Sequence, residues 1–172
     1  MVNAANSPAL PQLGRPWRDR FPGPDPQPVD VGHKLELHEG MRVLGFWPTE
    51  RQARLSCRRI GPEPEAVIFI GALAPEVQTL RLTFLAPADP APFGLLRLFY
   101  EDQPLPQRPT LVPETVAALV PQAWAVQASL PAVEDQPRPA WARLEIRISR
   151  TLPDAAHARW VGPALHAVEF LG

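Results

Sequence analysis

Several residue types are scarce in this sequence, and each shortage removes a class of protein. Cys57 is the sole cysteine in 172 residues, so no intramolecular disulfide can form and a secreted disulfide scaffold is excluded. Lys34 is the sole lysine; the 17 basic residues are otherwise arginine and are balanced by 18 acidic ones, for a net charge of −1. A nucleic-acid binder normally carries a basic excess gathered in a patch, so no nucleic-acid partner is expected. No apolar run approaches the ~18–20 residues that span a bilayer, and no transmembrane segment is expected. The opening Met1-Val2-Asn3-Ala4-Ala5-Asn6 has neither a positive region nor an apolar stretch after it. It does not read as a signal peptide, and the expected location is cytoplasmic. The sequence also lacks a Gly-rich phosphate loop, a Gly-x-Ser-x-Gly elbow and a His-Glu-x-x-His helix, so neither an enzyme nor a cofactor is expected.

Proline, by contrast, is abundant: 24 residues against a usual share of ~5%. It removes a backbone donor and fixes φ, which confines it largely to loops, helix starts and sheet edges. Residues 1–32 read as a proline-rich extended arm with no periodicity. Trp17 and Phe21 lie within it, and a solvated linker seldom needs two large aromatics. They dock on the chain's own surface or anchor a partner protein.

Residues 33–172 change to period two and read as one β-sandwich domain. Leu80, Leu82 and Phe84 alternate with Thr79, Arg81 and Thr83; Trp124, Val126, Ala128 and Leu130 alternate with Ala125, Gln127 and Ser129. Ala142, Leu144, Ile146 and Ile148 alternate with Trp141, Arg143, Glu145 and Arg147. Each such run has one buried and one wet side, the mark of antiparallel sheets. Further strands are expected at 33–38, 41–47, 53–57, 66–70, 94–101 and 164–171, with punctuation at Gly40, Gly61-Pro62, Gly71, 86–93 and Gln103-Pro104. Pro113 to Val120 is the one expected helix. The fold class is therefore all-β: a two-sheet antiparallel, jelly-roll-like sandwich with a proline-rich N-terminal arm.

Candidate ligand residues are few. Trp124 shares phase with Val126 and Leu130 and belongs to the core. Trp141 shares phase with Arg143, Glu145 and Arg147, so it stands on the wet face as a stacking or interface residue unless a strand-end bend buries it. Trp47 cannot be phased, and Trp160 reads as structural. Arg51, Arg54, Arg58 and Arg59 form a basic cluster, read as surface charge or as a grip for phosphate or acidic sugar. The neighbours Glu101-Asp102 and Glu134-Asp135 read as solvated loop charge. His33 and His38 fall on opposite faces of one strand; only an assembly across strands with Cys57, His157 and His166 could bind a metal, and none is expected.

Two stretches carry a resemblance. Leu44-Gly45-Phe46-Trp47-Pro48-Thr49-Glu50, continuing through Arg54-Leu55-Ser56, and Arg159-Trp160-Val161-Gly162-Pro163-Ala164-Leu165, ending in Val168-Glu169-Phe170, resemble the opening and closing segments of an accessory β-sandwich domain found beside or within bacterial glycosyltransferases. The resemblance covers roughly 40–171. Leu55 departs from its usual Trp, and His157 stands where it tends to have Asp. It implies a non-catalytic accessory module of polysaccharide or glycoconjugate assembly, with a glycan, a glycosyltransferase or another protein as partner. The alternative is a structural protein that holds its partner through the arm and a sheet edge. The ligand or interface residues are then expected among Trp141, Trp47, Glu50, Arg54, Trp17 and Phe21.

Overall fold

The alternating runs become the two sheets of a sandwich in the computed structural model, which describes residues 27–133, 138 and 141–172. One sheet has seven strands: β1 (Lys34–Glu36), β3 (Glu50–Gln52), β4 (Leu55–Arg59), β6 (Thr79–Ala86), β9 (Gln107–Thr110), β10 (Trp124–Ser129) and β14 (Ala164–Leu171). Its order is β3-β4-β14-β6-β10-β9, with β1 also paired to β14. The other has five, in the order β2 (Val43–Leu44), β5 (Glu65–Gly71), β11 (Trp141–Arg147), β7 (Arg97–Tyr100) and β8 (Gln103–Pro104). A separate hairpin joins β12 (Leu152–Asp154) to β13 (Arg159–Val161). Every strand pair is antiparallel.

The core lies between the sheets, where the apolar phase of each run meets the other. Leu80, Leu82 and Phe84 face Leu144, Ile146 and Ile148 in one buried cluster. In register, Leu82 stands between Val126 and Val168, and Phe84 stacks on Trp124 at 4.2 Å. On the outer side of the same strands, Arg81 grips Glu169 with two hydrogen bonds of 2.7 and 2.9 Å. Period two breaks in β14, where register shifts on either side of Leu165 displace His166 from the alternation. His166 is fully buried, its Nδ1 2.6 Å from the Ser56 carbonyl.

The helix α1 (Glu114–Ala117) forms within the expected span, preceded by Pro113. Val116 and Val120 cover Leu85, Ala164 and Cys57 on the outer face of the seven-stranded sheet. Burial pushes the Cys57 thiol up to about 11, so this cysteine is a small core hydrophobe rather than a nucleophile.

Two differences from the sequence expectation concern short elements. Gln103-Pro104, expected as a break, pairs as strand β8, and β9 carries Pro109. Both are the last strands of their sheets, the place where a missing backbone donor is tolerated. The described chain also joins the sandwich before residue 33: Val29 is buried, donates to the Ala72 carbonyl at 2.7 Å and accepts from Ala74 at 2.8 Å. No helix among the described residues is long and apolar enough to cross a membrane.

Candidate functional site

The two motif segments meet at one corner of the sandwich. Phe46 bridges Ile60, and the Trp47 amide donates to the Arg59 carbonyl at 2.8 Å, so the first segment runs beside β4. Gly45 lets the segment pass close to the start of β5: its φ is +76°, and a Cβ there would collide with the Glu65 carbonyl oxygen. The second segment arrives from the other side, where the Gly162 amide donates to the Ile60 carbonyl at 2.6 Å. Gly162 has no unusual φ; an added Cβ would instead press on Ile148 and Ile60.

Arg159 ties the corner together. Its guanidinium donates to Glu50 Oε1 and, at 3.2 Å, to Asp154 Oδ2, while lying 5.4 Å over the Trp47 ring. Glu50 Oε2 accepts a second bond from Arg59 at 3.3 Å, and His157 Nδ1 lies 2.9 Å from Asp154 Oδ2. The indole of Trp47 donates to the Trp160 carbonyl at 2.8 Å. Charge-assisted bonds to a planar guanidinium fix both carboxylates in place. His157 first and Arg159 second hold the Asp154 carboxyl below its ordinary value, so it is a standing hydrogen-bond acceptor. His157 offers Arg159 no carboxylate; Asp154 does so across the β12–β13 hairpin.

Beside this network lies a cleft of about 560 Å³. Glu50, Arg59, Asp154 and His157 line it together with the apolar Pro87, Pro92, Phe93, Leu152 and Val161. Asp89 also lines it, and there its Oδ1 accepts from the Ala91 amide at 2.9 Å.

Of the residues expected from the sequence, Glu50 and Trp47 belong to this corner, Glu50 lining the cleft and Trp47 bracing Arg159. Arg54 does not; it is exposed in the β3–β4 turn, where Ala53 and Arg54 have φ of 45° and 72°. Trp17 and Phe21 lie outside the described residues. Trp141 keeps the expected phase on an unbent strand, opposite Gly71, yet is buried against Val67 and Phe69 with Arg42 4.9 Å from its ring. The expected exposure on the wet face is not observed. Trp160, read as structural, is 55% exposed on the short hairpin, and its carbonyl accepts from the Trp47 indole.

Arg159 and Asp154 were not singled out as site residues, and Arg59 only as a member of the basic cluster. The available signal was an arginine inside an otherwise apolar closing segment, which calls for a carboxylate partner. Glu101 and Asp102 form a turn that Arg143 holds, Asp102 at 2.7 Å, and Glu134-Asp135 lies outside the described residues. Among the described residues no group of three or more His, Cys, Asp or Glu is placed to hold a metal. No protein family, curated protein or solved structure matches the chain.

Proposed function

We propose that this domain is a non-catalytic accessory module of bacterial polysaccharide or glycoconjugate assembly that contacts glycan in the cleft beside Arg159. The observation that carries the proposal is one cleft lined both by polar side chains held in place by hydrogen bonds and by apolar ones. A saccharide presents hydroxyls, which need fixed acceptors and donors, and C–H faces, which need flat apolar contact. Glu50 and Asp154 supply acceptors, Arg59 supplies donors, and Pro87, Pro92 and Leu152 supply the apolar side.

The same geometry favours binding over hydrolysis. A glycosidase acid must hold a proton near neutral pH, usually through a carboxyl raised by burial. Asp154 is shifted the opposite way, and Glu50 accepts hydrogen bonds from two arginines.

Saturation-transfer NMR on the full chain with a panel of bacterial oligosaccharides tests this reading. Transfer to at least one neutral oligosaccharide, lost in Arg59→Ala with the fold intact, is the expected result. No transfer from any member of the panel, or transfer unaffected by Arg59→Ala, would reject it.

A further inference from the structure

Trp160 is the one aromatic residue among those described that stands largely in water, and it belongs to none of the buried clusters. A large aromatic contributes to folding by removing its surface from water, and here more than half of that surface stays wet. Its backbone, by contrast, is fixed. Register pairs it with Pro153 across the β12–β13 hairpin, and its carbonyl accepts from the Trp47 indole at 2.8 Å. The three residues of β13 alternate: Arg159 and Val161 turn towards the body of the protein and Trp160 towards solvent. A flat ring on a held strand has only two side-chain torsions to lose, so it offers contact area at low entropic cost.

The same hairpin builds the cleft. Leu152, Pro153, Asp154, His157 and Val161 all line it. Pro153 is therefore both a lining residue and the register partner of Trp160, and both are exposed. Directly opposed residues of an antiparallel pair lie about 5 Å apart, roughly the length of one sugar ring. Pro153 and Trp160 thus make a narrow apolar strip that starts at the cleft and crosses the outer side of the hairpin. A strip two residues wide falls far short of the ~800 Å² per partner that a stable protein interface buries. It is the right width for a single extended chain of sugar rings.

We propose that Trp160 is a second contact for the glycan held in the cleft: a saccharide longer than the cleft leaves it past Pro153 and lays a ring on the Trp160 indole. This rests on the glycan-binding reading above and narrows its substrate class. The ligand is an oligosaccharide or a stretch of polysaccharide rather than a monosaccharide. The ring over Trp160 is a pyranose with mostly equatorial hydroxyls, because only such a ring presents an apolar C–H face to an aromatic one. The division of labour follows from the chemistry of each part. Glu50, Arg59 and Asp154 select hydroxyls inside the cleft, and Trp160 rewards length outside it.

Titration calorimetry of the full chain with neutral gluco- and galacto-configured oligosaccharides, from disaccharide to hexasaccharide, tests the proposal. Affinity should rise with length, and Trp160→Ala should weaken the hexasaccharide by roughly tenfold, much more than the disaccharide. Trp160→Phe, which keeps an aromatic face, should recover most of the loss. A direct readout accompanies this: saturating hexasaccharide should shield the exposed indole from acrylamide quenching, and that shielding should vanish in Trp160→Ala. Binding that is lost in Arg59→Ala but independent of length, or equally weakened by Trp160→Ala at every length, would overturn the proposal and leave the cleft reading standing. Hexasaccharide binding without shielding of Trp160 would do the same. Binding by no oligosaccharide of any length would reject both.

Discussion

Glu145 shows most clearly how a residue's surroundings depart from its place in a pattern. By phase it belongs with Arg143 and Arg147 on the wet side of β11, yet it is buried, and one carboxylate oxygen bonds Arg147 Nη2 at 2.8 Å while the other has no partner. Desolvation raises its folded-state pKa above the ordinary 4.5, with the Arg147 hydrogen bond opposing. An acid whose pKa is higher folded than unfolded binds more protons when folded. Its contribution to stability therefore falls as pH rises through the window above 4.5 and stays reduced beyond it. Glutamine keeps a similar shape without the charge. The melting temperature of Glu145→Gln relative to the parent should become steadily more favourable between pH 4 and pH 7, measured by differential scanning fluorimetry. A difference that does not change with pH would mean that the carboxyl is not desolvated. Period-two reading could place Glu145 on the correct face, but no single-strand pattern reveals what lies over that face.

At the scale of elements, the long strands were legible and the short ones were not. β6, β10 and β11 are six to eight residues each and show several cycles of alternation. β3, β12 and β13 have three residues each, too few to display a period, and they are the elements that deliver Glu50 and Asp154 to the cleft and Arg159 to the network beside it. The candidate site was therefore visible only in part, through Trp47 and Glu50. Its stability rests on a contact that crosses 109 residues of sequence, Arg159 to Glu50. Arg159 is largely buried and serves two carboxylates, so Arg159→Ala should lower stability by about 1–3 kcal/mol, less than loss of a fully buried partner would cost. Lysine, a point charge on a flexible stem, cannot bridge both acids, and Arg159→Lys should recover less than half of that loss. Urea denaturation of the three proteins measures both values. Full recovery by lysine would show that charge, not the planar bridge, holds the hairpin.

Across the whole molecule, the fold class was legible because it depends on composition and alternation, whereas the way the chain closes was not. β14, the last strand, lies inside the seven-stranded sheet, with β4 and β6 on its sides and β1 paired to its far half. The two ends of the described chain are thus neighbours: Lys34 pairs with Glu169, and Gly32 donates to the Phe170 carbonyl at 2.7 Å. Such pairing commits the first and last strands to one cooperative unit, since neither sheet edge nor core is complete without β14. Phe170 is fully buried in that strand, between the sheets and against Leu80 in register. Truncating a buried phenylalanine costs about 3–5 kcal/mol. For a chain of this size that corresponds to a fall in Tm of roughly 10 °C. If the sandwich is one unit, Phe170→Ala should lower the midpoint seen by far-UV circular dichroism and the midpoint seen by tryptophan fluorescence together. The exposed Trp160 and the core Trp124 report on opposite environments, so the two probes are sensitive to different parts of the structure. Midpoints that separate in the variant would show that the corner carrying the cleft unfolds independently of the strand that closes the sheet.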